Sequence, residues 1–196
     1  MADNTAIKDV GNTLISLLID NMKDLPDGSI VLGSPGEIKS DTRISLFLYR
    51  IQDNIHLKNQ EMQQAGPKTM RFPPLALDLS YMLTAHPSQE NTEKTLEAHL
   101  LLGRAMQVFY DNAILSGSVL KGSLKSGNEE LRITIENLNI DDMTKIWSTF
   151  QGKPFKPTAC YLVSPVRIGS QHEISIQRVV SKETGYNEMV LKRRHE

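Results

Sequence analysis

The chain has 196 residues, 39% of them hydrophobic and 23% charged, with 12 Gly and 9 Pro. That composition excludes collagen-like and low-complexity chains, and the length suits one domain able to bury about 70% of its extended surface. The formal charge of −1 excludes a global field that would draw the protein to nucleic acid or anionic lipid. The single cysteine, Cys160, excludes an intramolecular disulfide and a Cys-based zinc site, and fits a reducing compartment.

The first element expected is a helix, because Ile7, Val10, Leu14, Leu17 and Leu18 recur at steps of three and four until Asp24-Leu25-Pro26-Asp27-Gly28 ends the run. The apolar stretch from Leu14 to Ile19 is far too short for a membrane span, and no signal peptide or anchor is expected. Ser29 to Leu32 reads as a short strand stopped by Gly33-Ser34-Pro35-Gly36. A long strand is expected from Arg43 to Leu57, where Ile44, Leu46 and Leu48 alternate with Ser45, Phe47 and Tyr49. Lys58 to Pro74 lacks periodicity and reads as a polar excursion or loop. Leu75, Leu77, Leu79, Tyr81 and Leu83 then occupy every second position, a strong strand pattern.

Beyond His86-Pro87-Ser88, the main helix is expected over Gln89 to Leu115, about 40 Å long, with Leu102, Ala105, Met106, Phe109 and Ala113 on its packed face. Val119 to Leu124 and Leu131 to Leu138 read as a hairpin about Ser126-Gly127-Asn128. Asn139 or Asp141 is suited to cap a short helix reaching Phe150. Ala159 to Ile168 is a strand that Pro165 places at an edge or bends. One more alternating segment spans His172 to Val180, and Ser181 to Glu196 reads as loose. This order predicts a single α+β domain over residues 1–171, a mixed sheet flanked by helices, followed by a C-terminal arm over residues 172–196. From Lys153 onward eight Lys or Arg face four Glu, so this last segment is a basic end on an acidic body.

The chemical motifs are weak. Gly117 to Ser123 has the glycine spacing of a phosphate loop but lacks the Lys-Ser or Lys-Thr that must follow the second glycine. Asp141-Asp142 suits the opening turn of a helix better than a metal. His99 stands alone on its helix with no second histidine four residues away, and Cys160 in an apolar strand is expected to be buried with a raised thiol pKa. The eight methionines are scattered and read as core filling. No context of the kind a Ser-His-Asp triad requires is visible, so no catalytic residue, metal or cofactor is expected.

Several stretches, in order, resemble one family: Asp24-Leu25-Pro26-Asp27-Gly28, Val31-Leu32-Gly33-Ser34-Pro35-Gly36, Leu46-Phe47-Leu48-Tyr49-Arg50-Ile51 with Asn59, and Pro73 through Thr84. The series continues through Glu97 to Gln107, Leu131-Arg132-Ile133, Ile146-Trp147-Ser148-Thr149-Phe150 and Pro154-Phe155-Lys156-Pro157. Over roughly residues 5–168 the chain is similar to the cap, or tail-terminator, proteins of extracellular contractile injection systems, phage-tail-like particles of the virulence-cassette and antifeeding-prophage type. The resemblance implies a non-enzymatic homo-hexamer, assembled in the cytoplasm, that rings the end of the inner tube and contractile sheath remote from the baseplate. Its partners would be sheath subunits and tube subunits; the contacts that longer C-termini supply in some members would be either absent or made by a second cap protein. Neither nucleic acid nor membrane insertion is implied. A baseplate or tube-associated component of the same particle is the alternative, and a small enzyme a more distant one. Two interface segments are expected. In the arm, Ile174, Ile176 and Val180 would add a strand to a neighbour while Lys192, Arg193 and Arg194 meet acids; in the polar excursion, Lys58, Lys68 and Arg71 would face the lumen or the tube rim.

Overall fold

A computed structural model describes residues 2–88, 93–150 and 152–176. Its centre is a six-stranded sheet of order β1-β2-β5-β8-β7-β6: Ile30–Leu32, Ile44–Asp53, Leu75–Ala85, Thr158–Ile168, Glu130–Ile135 and Ile114–Ser116. Only the β1–β2 pair is parallel, which makes the sheet mixed, as expected. Helix α1 (Ala6–Asn21) and helix α2 (Lys94–Asp111) cover one face, and α4 (Ile140–Ser148) packs on the other.

The alternation in β2, β5 and β8 divides their side chains between two cores. Ile44 and Leu46, Leu79, Tyr81 and Leu83, and Ala159, Tyr161 and Val163 face α1 and α2, meeting Val10, Leu14, Leu18, Leu101, Ala105 and Phe109. Phe47, Met82 and Cys160, the residues between, face Trp147 and Phe150 of the α4 side. Each large side chain so buried contributes on the order of 2 kcal/mol, which is why the central strands hold the fold together. The Leu83, Tyr81 and Leu79 positions are fully buried.

The long strand ends at Asp53, short of the expected Leu57, because Asn54 turns the chain: its Oδ1 accepts hydrogen bonds from the backbone N–H groups of His56 and Leu57. The expected loop of residues 58–74 instead holds a short hairpin, β3 (Gln63–Gly66) and β4 (Thr69–Arg71), around Gly66-Pro67. Helix α2 runs from Lys94, behind Glu93 at its N-cap, to Asp111 and is about 27 Å long; residues 89–92 of the expected span lie outside the described residues. Ile114 and Leu115, expected to end that helix, belong instead to a strand, Ile114–Ser116, and it is this strand that pairs with Glu130–Ile135. Residues 119–124, expected as one arm of the hairpin, instead form a 3-10 turn (Gly117–Val119) and a short helix, α3 (Gly122–Ser126). The apolar run Val119, Leu120 and Leu124 fits both periods, and the actual sheet partner starts five residues earlier, at Ile114.

Asn139 is the cap of α4, its Oδ1 accepting from the Asp142 N–H at 2.8 Å, and Asp142 pairs with Lys145 at 3.2 Å. Pro165 does not mark an edge: β8 is central, between β5 and β7. The proline sits in a bulge where Ser164 and Pro165 oppose Asp78 alone, and the extra residue brings both Val163 and Val166 onto the larger core. Of the alternating segment expected over residues 172–180, Glu173–Ser175 forms β9, which pairs antiparallel with β4 of the same chain. Residues 177–180 of that segment, with Ser181 to Glu196, lie outside the described residues.

Candidate functional site

The second, three-stranded sheet has the order β3-β4-β9 and stands at one end of the main sheet. Thr69, Met70 and Arg71 pair with Ser175, Ile174 and Glu173, and the Ile176 N–H donates to the Lys68 carbonyl at 2.8 Å. Four of the expected interface residues are therefore brought together, Arg71 and Ile174 on two adjacent strands and Lys68 and Ile176 at their ends. The Arg71 guanidinium donates to Glu173 Oε1 from Nε at 2.9 Å and from Nη2 at 2.5 Å, and the Phe72 and His172 rings meet edge to face at 4.6 Å. Lys58 lies apart from that sheet and pairs with Asp53 at 3.1 Å. Val180, Lys192, Arg193 and Arg194 lie outside the described residues.

Where the small sheet joins the main one, Leu57, Phe72, Pro74, Leu75 and Ile168 line an apolar cleft of about 560 Å³. A polar knot ties the end of β2 to β5 and β8: Asn54 Nδ2 donates to Asp78 Oδ1 at 2.8 Å and to Ser164 Oγ at 3.1 Å, and Ser164 Oγ donates to Asp78 Oδ1 at 2.5 Å. Among the described residues, β9 has no strand on its outer side, and neither has β6 at the far end of the main sheet. Such open edges can accept another chain's strand.

A second apolar surface was not among the expected ones. Met106, Tyr110, Ala113, Ile133, Ile135 and Tyr161 line a cleft of about 660 Å³ between α2 and β7. Tyr110 is 84% exposed, and Leu96 and Leu100 are each 63% exposed on the same helix. Leu96, Leu100, Gly103, Gln107 and Tyr110 follow steps of four and three, a helical stripe like the buried one, so the pattern was legible. The competing stripe of Leu102, Ala105, Met106 and Phe109 accounted for the helix's packing and hid it.

One arrangement has the outline of a nucleophile and base. His86 Nε2 lies 2.8 Å from Ser45 Oγ, and His86 Nδ1 lies 2.9 Å from Lys156 Nζ. An ammonium only donates, so Nδ1 is the acceptor, the proton resides on Nε2, and His86 donates to Ser45. The histidine is thus unable to take the serine's proton, the reverse of what a triad needs. Burial and the neighbouring charges of Lys156 and Lys153 lower its pKa to about 3. Ser45 is wholly buried, so the arrangement is a strut joining β2, the end of β5 and the segment leading to β8.

The remaining candidates behave as structure. His99 is exposed on α2. Cys160 is buried, and that burial pushes its thiol up to about 11. In the glycine-spaced segment, the place of a bound anion is taken by the protein's own Asp9, which accepts hydrogen bonds from Ser123 N–H at 2.9 Å, Ser123 Oγ at 2.8 Å and Thr5 Oγ1 at 2.6 Å. No group of three or more His, Cys, Asp or Glu able to hold a metal occurs among the described residues. Among them, too, no helix is long and apolar enough to cross a membrane.

The model of the family described as the Pvc16 N-terminal domain matches residues 9–182. Among solved structures, the chain is similar to the sheath/tube terminator of an extracellular contractile injection system, PVC, in its extended state: 15% identity, TM-score 0.67, covering 97% of this chain and 66% of that one. It is also similar to the tube-terminating cap of the anti-feeding prophage: 16% identity, TM-score 0.63, covering 91% of this chain and 61% of that one. The chain thus spans less than two thirds of the length of either terminator. No curated protein matches it.

Proposed function

The chain belongs to the Pvc16 N-terminal domain family, and from that membership we propose that it is a structural terminator, a cap that ends the inner tube and contractile sheath of a phage-tail-like injection particle. The observation that carries the reading is the fold shared with two terminators over nearly the whole chain. The role is mechanical, without catalysis, and the working form is a ring of six copies matching the sixfold tube.

Symmetry explains the need. Rings stacked head to tail through an interface that does not close always leave an unsatisfied end. A terminator matches the last ring on one side and offers no copy of that interface on the other. A ring of identical subunits also joins two different surfaces of each subunit. The cleft beside the small sheet and the cleft between α2 and β7 share no residue, which supports such an arrangement. In this reading β9 accepts, on its outer side, a strand from a neighbouring subunit, with Ile174 and Ile176 at the contact and Val180, Lys192, Arg193 and Arg194 carried on toward acidic partners. Lys58, Lys68 and Arg71 lie toward the tube rim.

Electron microscopy of particles assembled with and without the protein tests the proposal. Particles of uncontrolled length in its absence, and density for the chain at one end in its presence, are the expected results. Particles of normal length in its absence would overturn the reading.

A further inference from the structure

Beside the His86 strut lies a cavity of about 360 Å³ lined by Lys39, Lys94, Lys153, Lys156, His86 and Thr42, with Ser40, Ile38 and Pro87 completing its wall. Four lysines from three separate segments converge there: the loop before β2, the first turn of α2 and the segment between α4 and β8. Among the described residues, no carboxylate belongs to the lining. Of the described acids nearby in sequence, Glu97 is engaged by Arg43, and Glu37, Asp41 and Glu93 are exposed and outside the lining. Within the lining, Lys156 has only the neutral His86 as its partner in the described hydrogen bonds, and Lys39, Lys94 and Lys153 make no described ion pair.

We propose that this lysine-lined cavity is a receptor for an acidic peptide segment of an assembly partner, whose side-chain carboxylates enter between Lys39, Lys94, Lys153 and Lys156. The inference rests on the terminator reading for its choice of a protein partner.

Like charges gathered around one hollow repel each other and are stabilised when an anion enters. Burial and the charge of Lys153 lower the pKa of Lys156, so the pocket opposes its own charge. The heads are ammonium groups, compact point charges on flexible stems, and no arginine fork lines the wall to match a phosphate in two-point fashion. Spread over three segments, they suit several carboxylates carried along an extended chain. His86, with both ring nitrogens already engaged, gives the hollow a rigid and uncharged floor.

The test uses the isolated full chain, titrated at low ionic strength with a hexaglutamate peptide and separately with inorganic phosphate, and read by NMR chemical shifts. Saturable shifts with the peptide are expected around Lys39, Lys94 and Lys153. The triple variant Lys39→Glu, Lys94→Glu, Lys153→Glu changes exposed side chains only, so its melting temperature should stay close to that of the parent while peptide binding weakens by about tenfold or more. A control with the same change of charge, Lys8→Glu, Lys23→Glu, Lys125→Glu, also at exposed sites, should bind almost as the parent does. Absence of saturable shifts, equal weakening in both variants, or phosphate binding that excludes the peptide would each overturn the proposal. Failure here would leave the terminator reading intact, because that reading is decided by particle length.

Discussion

A Cβ on Gly122 would lie 2.4 Å from the Cγ of Asp9 and from each of its carboxylate oxygens. The carboxylate is held that close because it accepts from the Ser123 N–H and hydroxyl, tying the first turn of α3 to α1. Gly122 also has φ +56°, a left-handed conformation in which a side chain is strained. Sequence position 122 is therefore glycine for two independent reasons.

Substitution Gly122→Ala should destabilise the protein by about 2–4 kcal/mol, the sum of left-handed strain and a steric conflict that Asp9 has no room to relieve. Gly117→Ala is the internal control. Its φ is +60°, but nothing lies within 4 Å of the added Cβ, so only strain, about 1–2 kcal/mol, is expected. Urea unfolding of both variants measures the difference. Equal losses would mean that the Asp9 contact is unimportant.

Acid should destabilise the fold in two separate windows. Burial, followed by the charges of Lys156 and Lys153, holds His86 at a pKa of about 3, well below its ordinary 6.5. Between those values the unfolded chain binds a proton that the folded chain refuses, so stability falls as pH drops below 6.5, by up to about 1.4 kcal/mol per pH unit. For Asp9, burial raises the pKa but is outweighed by the hydrogen bonds from Thr5 and Ser123, leaving it below 3.8. Its contribution is present above that value and is lost only at lower pH. His86→Gln should flatten the urea-unfolding profile between pH 6.5 and 4.5 and leave the more acidic limb in place.

Cys160 provides a reporter of opening. Buried, with its thiol pushed to about 11, it should resist a thiol-specific reagent at pH 8 in the native protein and react at the rate at which the α4 side of the sheet opens. Adding urea below the midpoint should accelerate labelling. Rapid labelling of the untreated protein would show that the Trp147 and Phe150 cover is loose.

Helix α1, β5 and α4 were legible because each shows one period and one clear stop. The Asn139 cap, too, follows from a single residue ahead of an acidic turn. What failed did so where short segments carry little pattern: β3, β4 and β6 are three or four residues long, too brief for alternation to be read. Pro165 misled in one respect only, since a bulge can absorb a missing N–H inside a sheet as well as an edge can. The site residues follow the same rule. Lys68, Arg71, Ile174 and Ile176 were recognisable as polar or alternating segments, but their pairing joins positions about a hundred residues apart. The convergence of Lys39, Lys94 and Lys156 on His86 has no linear signature at all, because it is produced by the order of strands in the sheet.

Two truncations separate the parts of the C-terminal segment. Removing residues 177–196 leaves β9 paired with β4, so the fold and its melting temperature should be retained while attachment to the sheath is lost, if the arm is the docking element of the proposed cap. Removing residues 172–196 also strips β9 from β4 and takes away the His172 ring against Phe72, exposing the Thr69–Arg71 backbone. That longer deletion should speed amide exchange at Thr69–Arg71 and leave the main sheet protected, since β9 belongs to the small sheet alone. Co-sedimentation with assembled sheath, read beside hydrogen exchange, distinguishes the two effects. Normal sheath attachment by the 177–196 deletion would remove the arm from the mechanism and place the contact on the folded domain.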